Sequence, residues 1–512
     1  MMILRPSLAF IRLLALASLA LPTVAQSTIL VPAGQPTIQA GIAAAVDGDT
    51  VLVAPGTYVE QIDLLGKAIT VRSEGGAAVT TIDSQGASAW PDFPEGAVVR
   101  MIAGESAATV LQGFTITGAN DTTGFYVGTS GIWCDALQPT IRDCVVRDNN
   151  GPIGAGIFGS PIIEGCEISG NSSMPYGDGG GVYGAPSITG SVIANNRSGG
   201  FGGGVFANAV CTITDSVIDG NVAGNGSDGY SGGGVFGPAL LERCRITNNS
   251  AHHWFSGGPP DEIGTAVDGA LSLVSCTVSG NTIVGGAVSG DLSGALRDVG
   301  SVSSSIIWDN ENLPFSDSTN PTVTYSIVTG GYAGVGNLAS DPLFVDPVGG
   351  DFSLQLGSPA IDAGDPALPL DPDGTVADMG PYPFFQATAS ATVTNGSGVN
   401  PLSYQPVSAP VSGTTWTATL DASLHAGAPT LAAVYGVLSP GAPIPTGFGE
   451  LLLNPFAVTV LSQAAPVAGT LATFSVAIPP NPAYLGVEVY TQALAVTSTL
   501  EFANAIELVI GI

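Results

Sequence analysis

Two of the chain's three histidines, His252 and His253, stand beside Trp254 and Phe255, and Asp261 and Glu262 close the same stretch at residues 250–263. Imidazole beside carboxylate is the material of acid–base catalysis or of a metal site, and adjacent aromatics offer faces to a sugar. Tyr176, Asp178, Phe201, Asp228 and Tyr230 fall in shorter stretches of the same kind. Aromatics among scattered acids suit a neutral sugar or a calcium-bridged ligand better than an anionic polymer, which a strongly acidic chain would repel. The competing reading is a loop folded over its support with Trp254 and Phe255 buried beneath it. Trp254→Ala separates the two: it weakens binding by ~1–3 kcal/mol in the first case and destabilises the fold in the second.

Something regular must hold these stretches. Seven times between residues 141 and 310 the chain places a small residue, an aliphatic two positions on and an asparagine three beyond that. The small slot is Cys144, Cys166, Ser191, Ser216, Cys244, Cys276 and Ser305, and the asparagines are Asn149, Asn171, Asn196, Asn221, Asn249, Asn281 and Asn310. Successive asparagines lie 22, 25, 25, 28, 32 and 29 residues apart, a period that points to a solenoid.

The small residue and the aliphatic share one face of a strand, while a second aliphatic three positions before the small residue would fall on the opposite face. A corner must therefore intervene, at Asp143, Gly165, Gly190, Asp215, Arg243, Ser275 and Ser304. Upstream lie glycine-opened runs ending in Phe158, Tyr183, Phe206 and Phe236. Three short strands per turn describe a right-handed parallel β-helix. Its inward ladders would be Ile163, Ile188, Ile213 and Leu241, and Val146, Ile168, Ile193, Ile218, Ile246 and Val278. The asparagines are expected to turn the chain with their amides bonded along the stack. Cys144, Cys166, Cys244 and Cys276 alternate with serine, which reads as a size requirement met by buried thiols; the alternative pairs Cys144 with Cys166 and Cys244 with Cys276.

The chain carries 41 acidic and 11 basic residues, a net charge of −30. Arg5 and Arg12 precede the apolar run 13–21, and Thr23-Val24-Ala25 offers a cleavage site, so residues 1–25 read as a secretory signal peptide. Losing Arg5 and Arg12 would take the charge to about −32 and leaves nucleic acid an unsuitable partner. No Lys or Arg follows Arg297, and no later apolar run is long enough to span a bilayer, so an extracellular monomer without a transmembrane anchor is expected.

At residues 37–46, Ile38, Ile42 and Val46 form one apolar stripe of a short helix with Thr37 as N-cap, a cover for the open end of a coil. Strands are expected at 50–53 and 67–72. The stretch 37–60 resembles the N-terminal cap and first turn of secreted bacterial β-helix proteins of the pectate-lyase-like superfamily, and with the repeats the resemblance reaches residue 335. It implies a coil over 26–335 of about ten turns from residue 50, and 336–385 resembles the segment that closes such coils. There Asp371, Asp373 and Gly374 look like the start of a calcium loop, but no glutamate follows at the required distance, so no cofactor is expected and calcium is the weaker alternative. Residues 386–512 alternate in seven or so short strands and resemble the antiparallel β-sandwiches appended to bacterial exoproteins, which implies a role in export or attachment.

The enzymes of this superfamily can be tested residue by residue. Gly56-Thr57-Tyr58-Val59-Glu60 matches a framework signature of pectin methylesterases, but the segments carrying that enzyme's acid, nucleophile and arginine are missing. The paired aspartates of polygalacturonases are absent too. The outward column Arg147, Ser169, Ala194, Asp219, Thr247, Ser279 and Trp308 puts its arginine and aspartate three turns apart, ~14 Å at the ordinary strand spacing and too far to share a reacting carbon. Arg142 and Glu164 read as a surface ion pair. The reading is an all-β, non-catalytic extracellular protein presenting a loop edge to carbohydrate, protein or another cell-surface component. The alternative is a polysaccharide lyase or hydrolase of another family.

Overall fold

The computed structural model describes residues 26–85, 96–120, 129–134, 138–224, 231–252, 263–284, 293–311, 313–316, 320–386, 388–479 and 484–511. Its first part is a right-handed parallel β-helix. A twelve-stranded sheet runs from Thr28–Val31 to Thr322–Thr324, an eleven-stranded second from Gly56–Tyr58 to Ile327–Val328, and a ten-stranded third from Ile62–Asp63 to Leu313–Phe315. A fourth, six-stranded sheet runs from Asn150–Gly151 to Thr282–Val284. The expected ladders are present: Ile141, Ile163, Ile188, Ile213 and Leu241 pair in one register, and Val146 through Val278 in another. All are buried. Every turn thus adds aliphatic area to one continuous core, at about 25 cal/mol per Å².

All seven expected corner residues have left-handed backbone, with φ between 48° at Arg243 and 61° at Gly165. A second left-handed corner was not foreseen. It falls on the residue before each asparagine, as at Asp148, Asn195 and Asn248, so the asparagine itself does not make the turn. Its amide bonds along the stack as expected: Asn171 Nδ2 donates to Asn196 Oδ1 at 2.9 Å, Asn196 Nδ2 to Asn221 Oδ1 at 3.0 Å and Asn221 Nδ2 to Asn249 Oδ1 at 2.9 Å.

The small slot is more than a matter of size. All six cysteines are free and buried, and slot side chains take main-chain N–H groups from the turn before. Cys166 N donates to Ser191 Oγ and Ser191 N to Ser216 Oγ, each at 3.1 Å, and Cys244 N reaches Cys276 Sγ at 3.5 Å. Cysteine and serine interchange because both accept this bond.

Several boundaries differ from expectation. The coil starts at Thr28, ahead of the helix, which covers Ile38–Ala44 with Thr37 as N-cap. Val46 is 55% exposed, because the helix has ended and Asp49 Oδ2 holds the Val46 N–H at 2.9 Å. The strand expected at 67–72 is Thr70–Ser73. The glycines of the third sheet precede their strands: a Cβ on Gly181 would stand 2.6 Å from the Gly204 carbonyl oxygen, so bare backbone is what lets adjacent turns close there.

Residues 336–385 do more than seal the last turn. Phe344, Phe352, Leu354, Ala360, Met379 and Phe384 pack on Ile306 and Ile327, whose side chains point out of the second sheet, and Arg245 Nη1 donates to Gly350 O at 3.0 Å. The segment therefore lies along the coil's flank. Beyond it, a five-stranded antiparallel sheet and the three strands Tyr404–Pro406, Thr415–Asp421 and Leu471–Ala477 form a β-sandwich. Tyr404, Trp416, Leu420 and Phe474 face Val434, Ala493, Ile506 and Leu508 across one core.

Candidate binding surface

In the third sheet the residue after each inward aliphatic must point outward, and in five consecutive turns it is aromatic. Trp133, Phe158, Tyr183, Phe206 and Phe236 align in register, each partly exposed. Ring centroids from Phe158 to Phe236 are 5.2, 5.0 and 5.2 Å apart, with interplanar angles of 1°, 3° and 19°. Arg100 lies over Trp133 at 5.8 Å. The column ends in ion pairs, Arg100 with Asp63 at 3.9 Å and Arg297 with Asp268 at 3.0 Å. Burial pushes the Asp268 carboxyl up, and Arg297 opposes that. Mutual stacking occupies the ring faces, so the column turns outward its positively polarised rims and the Tyr183 hydroxyl, a neutral ridge suited to oxygen atoms.

The fourth sheet borders this ridge and brings several expected residues to it. Phe201, in the turn after Arg197–Gly199, leans on Phe236 at 4.6 Å. Its N–H donates to Asp178 Oδ1 at 2.9 Å, and burial raises the Asp178 carboxyl above the usual range. Asp178 and Phe201 thus fix a turn. Tyr176 is 66% exposed and is the residue here best placed to meet a ligand. His252 ends the strand Ser250–His252; burial, then the Arg197 charge, lowers its pKa, so its imidazole is neutral at neutral pH. His253, Trp254, Phe255, Asp261, Glu262, Asp228 and Tyr230 lie outside the described residues. Six of the seven asparagines are followed directly by a fourth-sheet strand, so the variable stretches of those turns begin after that strand.

The other polar groups singled out in the sequence are engaged. Arg147 through Trp308 align as expected in the second sheet, where Asp219 accepts from Thr247 Oγ1 at 2.6 Å and Asn248 Nδ2 at 2.9 Å. Arg142 Nε meets Glu164 Oε2 at 2.7 Å. Asp371 Oδ2 accepts from Asp378 N, and Asp373 holds Thr375 and Gln386. Burial raises Asp371, whereas at Asp373 burial is outweighed by those N–H donors and the carboxyl falls. These oxygens serve the main chain, and among the described residues no three His, Cys, Asp or Glu are placed to hold a metal ion.

In the sandwich, Ser403 Oγ meets His425 Nε2 at 2.6 Å, and His425 Nδ1 lies 3.2 Å from Glu501. The connectivity is that of a nucleophile, base and acid, but Ser403 is 2% exposed and a substrate carbonyl cannot reach it. The aromatic column went unrecognised in the sequence, although its signal was there: an aromatic after the same aliphatic in turn after turn.

No protein-family model and no curated protein matches the chain. Among solved structures it is similar to pectin methylesterase PemA from Erwinia chrysanthemi, at 14% identity over 52% of this chain and 91% of that one, with a TM-score of 0.27. It is also similar to a mannuronic acid specific family 6 polysaccharide lyase from human gut microbiota, at 9% identity over 59% and 87% with a TM-score of 0.26, and to the alginate lyase AlyGC, at 13% over 73% and 61% with a TM-score of 0.26. At such scores the fold assignment rests on the chain's own strand register. By that register the chain is a right-handed parallel β-helix protein with an antiparallel β-sandwich at its C-terminal end.

Proposed function

We propose that this is an exported, non-catalytic monomer whose β-helix binds an extended neutral polysaccharide along the glycine-rich sheet, with the sandwich serving export or attachment. The observation that carries this reading is the column Trp133–Phe158–Tyr183–Phe206–Phe236, one partly exposed ring per turn with its flanking charges paired off. A ridge repeating at about the strand spacing offers equal contacts to a chain of repeating units. Tyr176 stands exposed in the turn after a strand of the bordering fourth sheet, and the net charge of −30 disfavours an acidic polymer.

The test is affinity electrophoresis of the mature protein through neutral and uronate polysaccharides, with Tyr176→Ala, Trp254→Ala and Tyr183→Ala as variants. Retardation by a neutral glycan, reduced in Tyr176→Ala and Tyr183→Ala at unchanged circular dichroism, supports the reading. Release of reducing ends or of unsaturated product, abolished by a single substitution, would overturn it in favour of a lyase or hydrolase.

A further inference from the structure

The aromatic column of the third sheet has a definite length. Next in register before Trp133 comes Arg100, and next after Phe236 comes Asp268. Each is held by an opposite charge, Arg100 Nε at 3.9 Å from Asp63 Oδ2 and Asp268 Oδ2 at 3.0 Å from Arg297 Nη1. The apolar ridge therefore stops at both ends, after five rings. One shoulder of it is bare main chain: a Cβ on Gly179 would stand 2.9 Å from the Tyr183 Cβ, and one on Gly232 2.7 Å from the Phe236 Cβ.

The column also has a definite pitch. Centroids from Phe158 to Phe236 repeat every 5.0–5.2 Å, and the rings from Phe158 to Phe206 stay within 3° of parallel, so a straight ligand meets each of them in the same way. With bonds of ~1.5 Å, a hexopyranose joined through equatorial oxygens at opposite corners of its ring advances roughly 5 Å per unit. An axial linkage shortens that advance and winds the chain into a coil, and a linkage to the adjacent ring carbon bends it. Either kind of chain leaves the register of the rings after its first contacts.

We infer, resting on the polysaccharide reading above, that the ligand is a neutral hexopyranose chain with equatorial β-1,4 linkages, lying along the coil axis with one sugar per turn. The ridge then has five subsites, one at each ring from Trp133 to Phe236. Successive units of such a chain are flipped about its axis. The rims of Phe158, Phe206 and Phe236 carry no hydrogen-bond donor, so they accept either side of a sugar, and their positive polarisation suits its oxygen atoms. The paired charges beyond Trp133 and Phe236 neither attract nor extend the chain.

The experiment is isothermal titration calorimetry of the intact mature protein with β-1,4-linked gluco- and manno-oligosaccharides of three to seven units. The α-1,4-linked and β-1,3-linked glucoheptaoses serve as comparators. Affinity for at least one β-1,4 series should rise with each unit through the pentasaccharide and then level, because a sixth sugar has no ring beneath it. The two comparators should bind about ten-fold more weakly. Trp133→Ala removes an end ring and should move the plateau from five units to four, a shift that mere destabilisation does not produce. Should that variant misfold, Phe236→Ala reads the same shift from the other end. Affinity that is flat in length, a plateau away from five, a comparator bound as tightly, a plateau unmoved in a folded end variant, or retention by a neutral polymer without binding of any heptaose overturns this inference and leaves the neutral-polysaccharide reading standing. Binding of no neutral oligosaccharide or polymer overturns both.

Discussion

Replacing Asn196 by alanine removes one rung of the amide ladder and should cost far more than an ordinary polar substitution. Asn196 is fully buried. Its Oδ1 accepts from Asn171 N at 3.1 Å and from Asn171 Nδ2 at 2.9 Å, and its Nδ2 donates to Ile168 O at 2.8 Å and to Asn221 Oδ1 at 3.0 Å. Alanine leaves the Asn171 N–H buried and unpaired, at about 1–3 kcal/mol, and forfeits the remaining bonds at roughly 1 kcal/mol each. The expected total is ~4–6 kcal/mol. Asn310 is the control: it makes comparable bonds to Asn281, at 3.1 and 2.8 Å, but is partly exposed, so water replaces what is lost and ~1–2 kcal/mol is expected. Because long repeat arrays need not unfold in two states, urea denaturation should be read alongside amide exchange in the turns around Asn171. A loss below ~1 kcal/mol for Asn196→Ala, or one no larger than that of Asn310→Ala, would refute the view that the ladder stabilises the coil.

Other outcomes follow from the corners, the thiols and the closing segment. Ser275 sits at φ 50°, where a side chain costs ~1–2 kcal/mol. Ser275→Gly should therefore raise stability by about 0.5–1 kcal/mol in urea titration, and a lowered midpoint would count against corner strain. The six cysteines are free and buried, with Cys166 and Cys276 raised well above the usual thiol range, Cys166 chiefly by its bond to Cys144 and Cys276 chiefly by burial. A thiol reagent should find them inert in the native protein and all reactive in guanidinium; missing equivalents would reveal disulfides. Burial, reinforced by Asp371 and Asp362, pushes Asp378 up to about 6. A raised carboxyl favours the protonated fold, so its stabilising contribution is full below the unfolded value near 4 and lost as pH rises through about 6. Asp378→Asn should flatten stability between those limits relative to wild type, and an unchanged slope would refute the assignment.

Where a pattern repeats, the sequence was readable. Corners were located to the residue because an odd spacing between two inward aliphatics admits only a bend, and all seven proved left-handed. The second corner escaped because the residue before each asparagine is Asp, Gly or Asn, types common in any turn. The slot was read as a volume because cysteine and serine differ in polarity, and only three dimensions place a main-chain N–H above each one. For the site, Tyr176, Asp178, Phe201 and His252 lie in or shortly after fourth-sheet strands, but the aromatic column was overlooked. Attention went to reactive side chains, whereas a stack of rings becomes visible only once the third-sheet register is counted turn by turn. The flank-hugging course of 336–385 was illegible, since the aperiodic Phe344 and Phe352 do not announce which surface they seek.

The asparagine spacings grow from 22 to 32 residues, yet the rungs stay alike, with Asn149 Nδ2 3.0 Å and Asn249 Nδ2 3.1 Å from the next Oδ1. Most of the extra length is absorbed between the fourth and third sheets, and the registers of the first and second sheets stay unbroken. The coil is thus a chassis with one open socket per turn. Foreign peptides spliced there would be carried in a row at fixed pitch, and new specificities could be acquired one turn at a time while the core that holds them is inherited unchanged.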